Sequence, residues 1–158
     1  MPRPLRDVAA GHPPSHQGAI AELEAWHRLV IGGRPEQVAV ARGFVRQVLG
    51  AAHPGAERAV LLTSELVTNS VTHSDSHLPG GTITVTVRPV TASRGADRIR
   101  VEVTDDGGPT EPRVSRDDDL AETGRGLRLI EAYSLMWDYY RDGTRLVTWF
   151  ECVGEALE

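Results

Sequence analysis

Residues 65–73 read ELVTNSVTH, with Glu65, Asn69 and His73 at intervals of four. Four residues is close to one helical turn, so the three side chains fall along one line of a helix. Around them Ala59, Leu62, Leu66, Val67 and Val71 form the broad apolar arc of an amphipathic helix, which the spacing extends over 56–73. The polar line sits at the border of that arc. A solvated face is the ordinary explanation for any one of these residues, but the set argues for a cavity. Asn69 is a mediocre helix former, as are its neighbours Thr68, Ser70 and Thr72, and local propensity gives no reason to gather them here. A carboxylate at such a border can take a proton or orient a nucleophile, and an amide oxygen one turn further on is a hard ligand suited to Mg²⁺.

Outward from this helix the chain reads clearly. AWHRLVI (25–31) has strand composition and is closed by Gly32 and Gly33. From Pro35, Val38, Val40–Ala41, Phe44–Val45 and Val48–Leu49 space out a second amphipathic helix, ended by Gly50. GTITVTVRPV (81–90) alternates apolar and polar residues, and RIRVEVTD (98–105) returns it as an antiparallel hairpin with Ile99, Val101 and Val103 on one face. The stretch 106–123, rich in Gly, Pro and Asp, reads as an irregular lid or binding loop. GRGLRLIEAY then opens a third helix, and two strands around the Asp142–Gly143 turn end the pattern. The order β-α-α-β-β-lid-α-β-β specifies an α+β two-layer sandwich, a mostly antiparallel sheet with helices on one face. Residues 1–18 carry four prolines, two glycines and no hydrophobic period, so they read as a mobile tail ahead of a single domain over 19–158.

Composition narrows the function. With 158 residues, 40% hydrophobic and 25% charged, the chain can bury about two-thirds of its unfolded surface without a disulfide or metal staple. A formal charge of -5 argues against direct nucleic-acid binding by broad phosphate neutralisation. No stretch approaches the roughly 18 apolar residues of a membrane span, and the N-terminus lacks the apolar core of a secretory signal. The one cysteine, Cys152, excludes an internal disulfide and reads as a small buried hydrophobe. Together these features predict a cytoplasmic protein.

Two further clusters could carry chemistry. In VEVTDDGGP, alternation turns Asp105 to the same face as Val101 and Val103, where a carboxylate needs a polar partner. The bland alternative is a turn carboxylate that caps its own loop. In TGRGLRLI, Gly124 and Gly126 bracket a helix start, whose free N–H groups and positive dipole end can hold phosphate. No third glycine follows and no strand precedes, so a dinucleotide-binding crossover is disfavoured.

Taken in order, the acidic/amide helix, the strand ending in Asp-x-Gly, the loop and Gly-x-Gly-Leu resemble the GHKL (Bergerat-fold) ATP-binding domains over about residues 25–151. The likeness is to the small stand-alone members related to anti-sigma factor serine/threonine kinases. The resemblance implies that ELVTNSVTH is the N box, with Asn69 coordinating Mg²⁺, Glu65 as catalytic base and His73 close to the phosphates. It implies that Asp105 hydrogen-bonds the adenine amino group and that Gly107, followed by Gly108, lets the ring approach. It places the amides of Gly124, Arg125, Gly126 and Leu127, and Arg125 itself, near the phosphates. Glycine is missing at 109, where the family pattern has one and this chain has Pro109. The final-strand threonine remains open between Thr144 and Thr148. The function so implied is an ATP·Mg²⁺-binding regulator of transcription. It sequesters a sigma factor and phosphorylates a serine of a STAS-type anti-anti-sigma protein. The alternative is a catalytically silent ATP-binding switch of the same fold. The family often forms homodimers, a point the sequence leaves open.

Overall fold

A computed structural model describes residues 26–91, 97–114 and 125–153. The 1–18 tail, most of the hairpin tip, the later part of the lid and Gly124 lie outside the described residues. Strand β1 (His27–Gly32) leads into helices α1 (Gln37–Leu49) and α2 (Ala56–His73). A single 3₁₀ turn (Asp75–His77) follows, then the hairpin β2 (Thr82–Thr91) and β3 (Asp97–Asp105). Helix α3 (Arg125–Tyr133) and the hairpin β4 (Met136–Asp142) and β5 (Arg145–Val153) complete the element order, which agrees with the sequence reading. The five strands form one sheet in the order β1-β2-β3-β5-β4 with every pairing antiparallel. The fold is α+β.

Alternation decides which side of the sheet meets the helices. Ile83, Val85 and Val87 of β2, Ile99, Val101 and Val103 of β3, and Phe150 and Cys152 of β5 are buried in one cluster. Ala41 and Val45 of α1, Ala59, Leu62, Leu66 and Val67 of α2, and Leu127 and Ile130 of α3 belong to the same cluster. Burial pushes the Cys152 thiol up to about 12, so it stays protonated at neutral pH. The opposite face is polar. There the Arg100 guanidinium stacks 4.0 Å from the Trp149 ring centre and donates to Glu102 (3.0 Å) and Glu151 (2.9 Å).

Helix α2 is rotated relative to the arc expected from hydrophobicity alone. Ala59, Leu62, Leu66 and Val67 are buried as expected, but Val71 is only half-buried, while Thr63 and Ser70 are buried. The buried stripe runs Ala56, Ala59–Val60, Thr63, Leu66–Val67, Ser70, with two hydroxyls in its midst. Glu65, Asn69 and His73 are all half-buried, the border position the spacing requires.

The turn after α2 decides how that helix meets the sheet. The backbone oxygen of Ser76 lies 2.0 Å from where a Cβ of Gly33 would stand and 2.1 Å from that of Gly81. Only glycine at both positions lets the turn sit between the ends of β1 and β2. Gly43, midway along α1, has nothing within 4 Å of its Cβ position, so nothing requires glycine there. Gly81→Ala should therefore lower stability by about 1–3 kcal/mol through overpacking against backbone. Gly43→Ala should raise it by roughly 0.5–1 kcal/mol through helix propensity. Denaturant unfolding of the two variants checks both signs.

Candidate functional site

The end of α2, the loop after β3, the start of α3 and the inner side of β5 enclose a cavity of about 250 Å³. That is close to the lower end of small-molecule sites, which run from roughly 300 to 1,000 Å³. Leu66, Leu127 and Leu146 give it apolar walls, and Asn69, Ser70, His73, Asp105 and Thr148 supply polar groups. Such a mixture suits a flat, partly polar ring.

Asp105 is the most constrained of these groups. It is only 4% exposed, at the inward position that β3 alternation assigns to it. Its Oδ1 accepts from the Gly107 amide at 2.8 Å, and its Oδ2 accepts from the Ser70 hydroxyl at 2.7 Å. The loop-capping and cavity-facing readings are therefore both realised, one by each oxygen. Burial pushes the carboxyl's pKa above its usual range. The hydrogen bonds from Ser70 and Gly107 oppose the shift, the Asp106 charge adds to it, and Arg141 opposes it weakly.

Gly107 has φ +77, and a Cβ there would lie 2.0 Å from the Thr144 carbonyl oxygen, so the β4–β5 turn packs directly onto this loop. Asp106 is absorbed by structure: its Oδ2 accepts from the Thr82 amide at 3.0 Å, and its own amide donates to Ser76 Oγ at 2.9 Å. The Asp75 amide donates to the Gly107 carbonyl at 2.7 Å. The early part of the expected lid is tethered as well. Arg141 donates to the carbonyls of Gly108 (3.2 Å) and Thr110 (3.4 Å), and the Tyr139 hydroxyl donates to Glu111 at 3.1 Å. This strap carries Thr110, Glu111, Pro112 and Arg113 into the cavity wall.

Of the residues expected from sequence, Asn69, His73, Asp105, Gly107 and Leu127 line this one cavity. Glu65 lies one turn before Asn69, half-buried and outside the wall. Gly108 supports the strap without lining the cavity. Arg125 and Gly126 open α3, and Gly124 lies outside the described residues. Of the two candidate threonines, Thr148 is 7% exposed and lines the cavity, while Thr144 is an exposed turn residue. Counting inward from the Asp142–Gly143 turn would have found it, because Thr148 pairs with inward-facing Val103. Ser70 was missed because hydrophobicity alone gives a hydroxyl no reason to be buried.

A sequence model described as the histidine kinase-like ATPase domain matches residues 31–151. The chain belongs to the histidine kinase-like ATPase family. The match spans every element from the end of β1 to most of β5, including each site residue named above. No curated protein matches the chain. ATP binding follows from this membership, and the cavity fits it. Asp105 offers an acceptor for an exocyclic amine at the base. His73 Nε2 is buried and has no hydrogen-bond partner among the described residues, which leaves a polar atom for a ligand to satisfy. The residues also fit Mg²⁺, whose usual site in nucleotide enzymes is one or two protein oxygens shared with substrate phosphates. Asn69 would provide the protein oxygen. No helix of the described residues is long and apolar enough to cross a membrane.

The Asp105 shift has a stability consequence with a definite sign. A carboxyl whose pKa is raised on folding gives a contribution that is full below its unfolded pKa and lost as pH rises through the folded one. At neutral pH the raised pKa of buried Asp105 thus costs stability. Asp105→Asn keeps the shape without the charge, and Ser70 Oγ can accept as well as donate, so it can follow the amide. The ligand-free variant should unfold at an equal or higher temperature than wild type at neutral pH. That margin should shrink as pH falls below the ordinary carboxylate range. Thermal unfolding across this pH span measures it; a constant deficit for the variant would contradict the burial argument.

Proposed function

We propose that this family member is an ATP·Mg²⁺-dependent regulator of the anti-sigma type. In this reading it sequesters a sigma factor and uses ATP to phosphorylate a serine on a STAS-type anti-anti-sigma antagonist. The observation that carries the reading is the single cavity joining Asn69 and His73 to Asp105, Gly107 and Leu127. Residues from three separate sequence motifs line it. Support for the regulatory type comes from the motif resemblance. Mg²⁺, when bound, neutralises phosphate charge.

The chain's own part in transfer is positioning and proton removal. Asp105 fixes the base, His73 and the α3 start face the phosphates, and Asn69 holds the metal. Glu65 would accept the proton of the attacking serine hydroxyl, while the γ-phosphoryl bond to the departing ADP breaks and the new bond to the serine oxygen forms. Its position outside the nucleotide wall suits a group that must meet a second, protein substrate. The same observation favours a second reading, in which Glu65 is a helix-surface residue and ATP acts only as a conformational ligand.

Glu65→Gln separates the two. Loss of a general base costs about 10²–10⁴-fold in rate, while ground-state ATP binding needs no proton transfer. Labelled-phosphate transfer to the co-purified antagonist should collapse in the variant, with ATP affinity and sigma-factor binding retained. Transfer within a few-fold of wild type removes Glu65 as base, and a wild type that transfers no phosphate establishes the silent switch.

A further inference from the structure

We propose that Ser70 is a positioning residue of the nucleotide site. Its hydroxyl holds the Asp105 carboxylate in the orientation that accepts from adenine and discriminates against guanine. The inference rests on ATP binding in this cavity and on Asp105 as the group that reads the base.

Serines within or just after helices usually satisfy themselves locally, donating to the carbonyl one turn back. Two serines among the described residues do so: Ser74 Oγ donates to the Ser70 carbonyl at 2.6 Å, and Ser134 Oγ donates to the Ile130 carbonyl at 2.5 Å. Ser70 does not. Its hydroxyl leaves the helix and reaches 35 residues along the chain to Asp105 Oδ2. Both partners are more than nine-tenths buried, at 6% and 4% exposure, and both line the cavity. Alanine would fit the same buried stripe and is the better helix former, so neither packing nor propensity accounts for a hydroxyl here. With the Gly107 amide on Oδ1 and Ser70 on Oδ2, one donor on each oxygen fixes the carboxylate plane. About two of its four lone-pair positions are then occupied, and the rest remain for ligand donors. Both donors favour the ionised, acceptor-only form, opposing the larger effect of burial. An acceptor-only group matches the N6 amino group of adenine and opposes the O6 of guanine at that place.

The test is a double-mutant cycle on the full chain with Mg²⁺, using calorimetric titration with ATP and with GTP. Ser70→Ala should weaken ATP binding about ten-fold and lower the ATP/GTP preference, since a hydrogen bond to a charged group is lost. Ser70→Thr, which keeps the hydroxyl, should retain the preference. In an Asp105→Asn background, which already lacks the acceptor that reads the base, Ser70→Ala should cost little more ATP affinity. Equal ATP affinity for Ser70→Ala and wild type would overturn the role. So would effects that simply add, with the ATP/GTP ratio unchanged, because that is the signature of a packing defect. A wild type that binds no ATP is a separate outcome, visible before any variant is made, and it overturns the ATP reading together with this one.

Discussion

The Ser76 carbonyl oxygen occupies space that a methyl group on Gly33 or Gly81 would fill. That close approach seats the turn after α2 between the ends of two strands, and the rest of the site inherits its position from it. From there Ser76 Oγ receives the Asp106 amide, and the Asp75 amide reaches the Gly107 carbonyl. The helix bearing Asn69, Ser70 and His73 is thus held in fixed relation to the loop bearing Asp105. Two glycines with no chemistry of their own set the geometry of the residues that have it. The constraint is steric, so it tolerates no adjustment of a few tenths of an ångström, unlike a long side-chain contact.

The fold was legible because its signals are periodic. Strict alternation in β2 and β3, and the 3.6-residue period of α1 and α2, separate strand from helix with little ambiguity. Element ends moved by a residue or two: β1 begins at His27, and α1 begins at Gln37, after a turn through Pro35. The 3₁₀ turn at Asp75–His77 carries no period, and only the structure supplies it. In the site, residues with distinctive chemistry in a motif could be read, and Asn69, His73, Asp105 and Gly107 do meet. What could not be read was whatever depends on contact across the chain. Ser70 and Asp106 look like helix filler and loop acid until their partners, 35 and 24 residues away, are in place. The strap from Thr110 to Arg113 looked like free lid because the side chains that tether it, Tyr139 and Arg141, belong to another strand.

That tether changes how the lid is to be pictured. Its early part is built into the β4–β5 side of the site, where Arg141 bridges two carbonyls and lies 3.9 Å from Glu111. The carbonyl of Thr144 meanwhile closes against Gly107. One end of the sheet therefore serves both as the cavity's far wall and as the anchor for its rim. The loop that carries Asp105 and the strap that frames the cavity are joined through a single hairpin.

Burial of Cys152 also gives the protein a practical property. It is the chain's sole thiol, it is fully enclosed between β5 and the helices, and its pKa of about 12 leaves almost no thiolate at neutral pH. Maleimide reagents, which attack through the thiolate, should pass the native protein by. A cysteine introduced on the strap or on the outer face of α3 would then be the single reactive position, so a fluorophore or spin label could be placed there without first removing a native residue from the core.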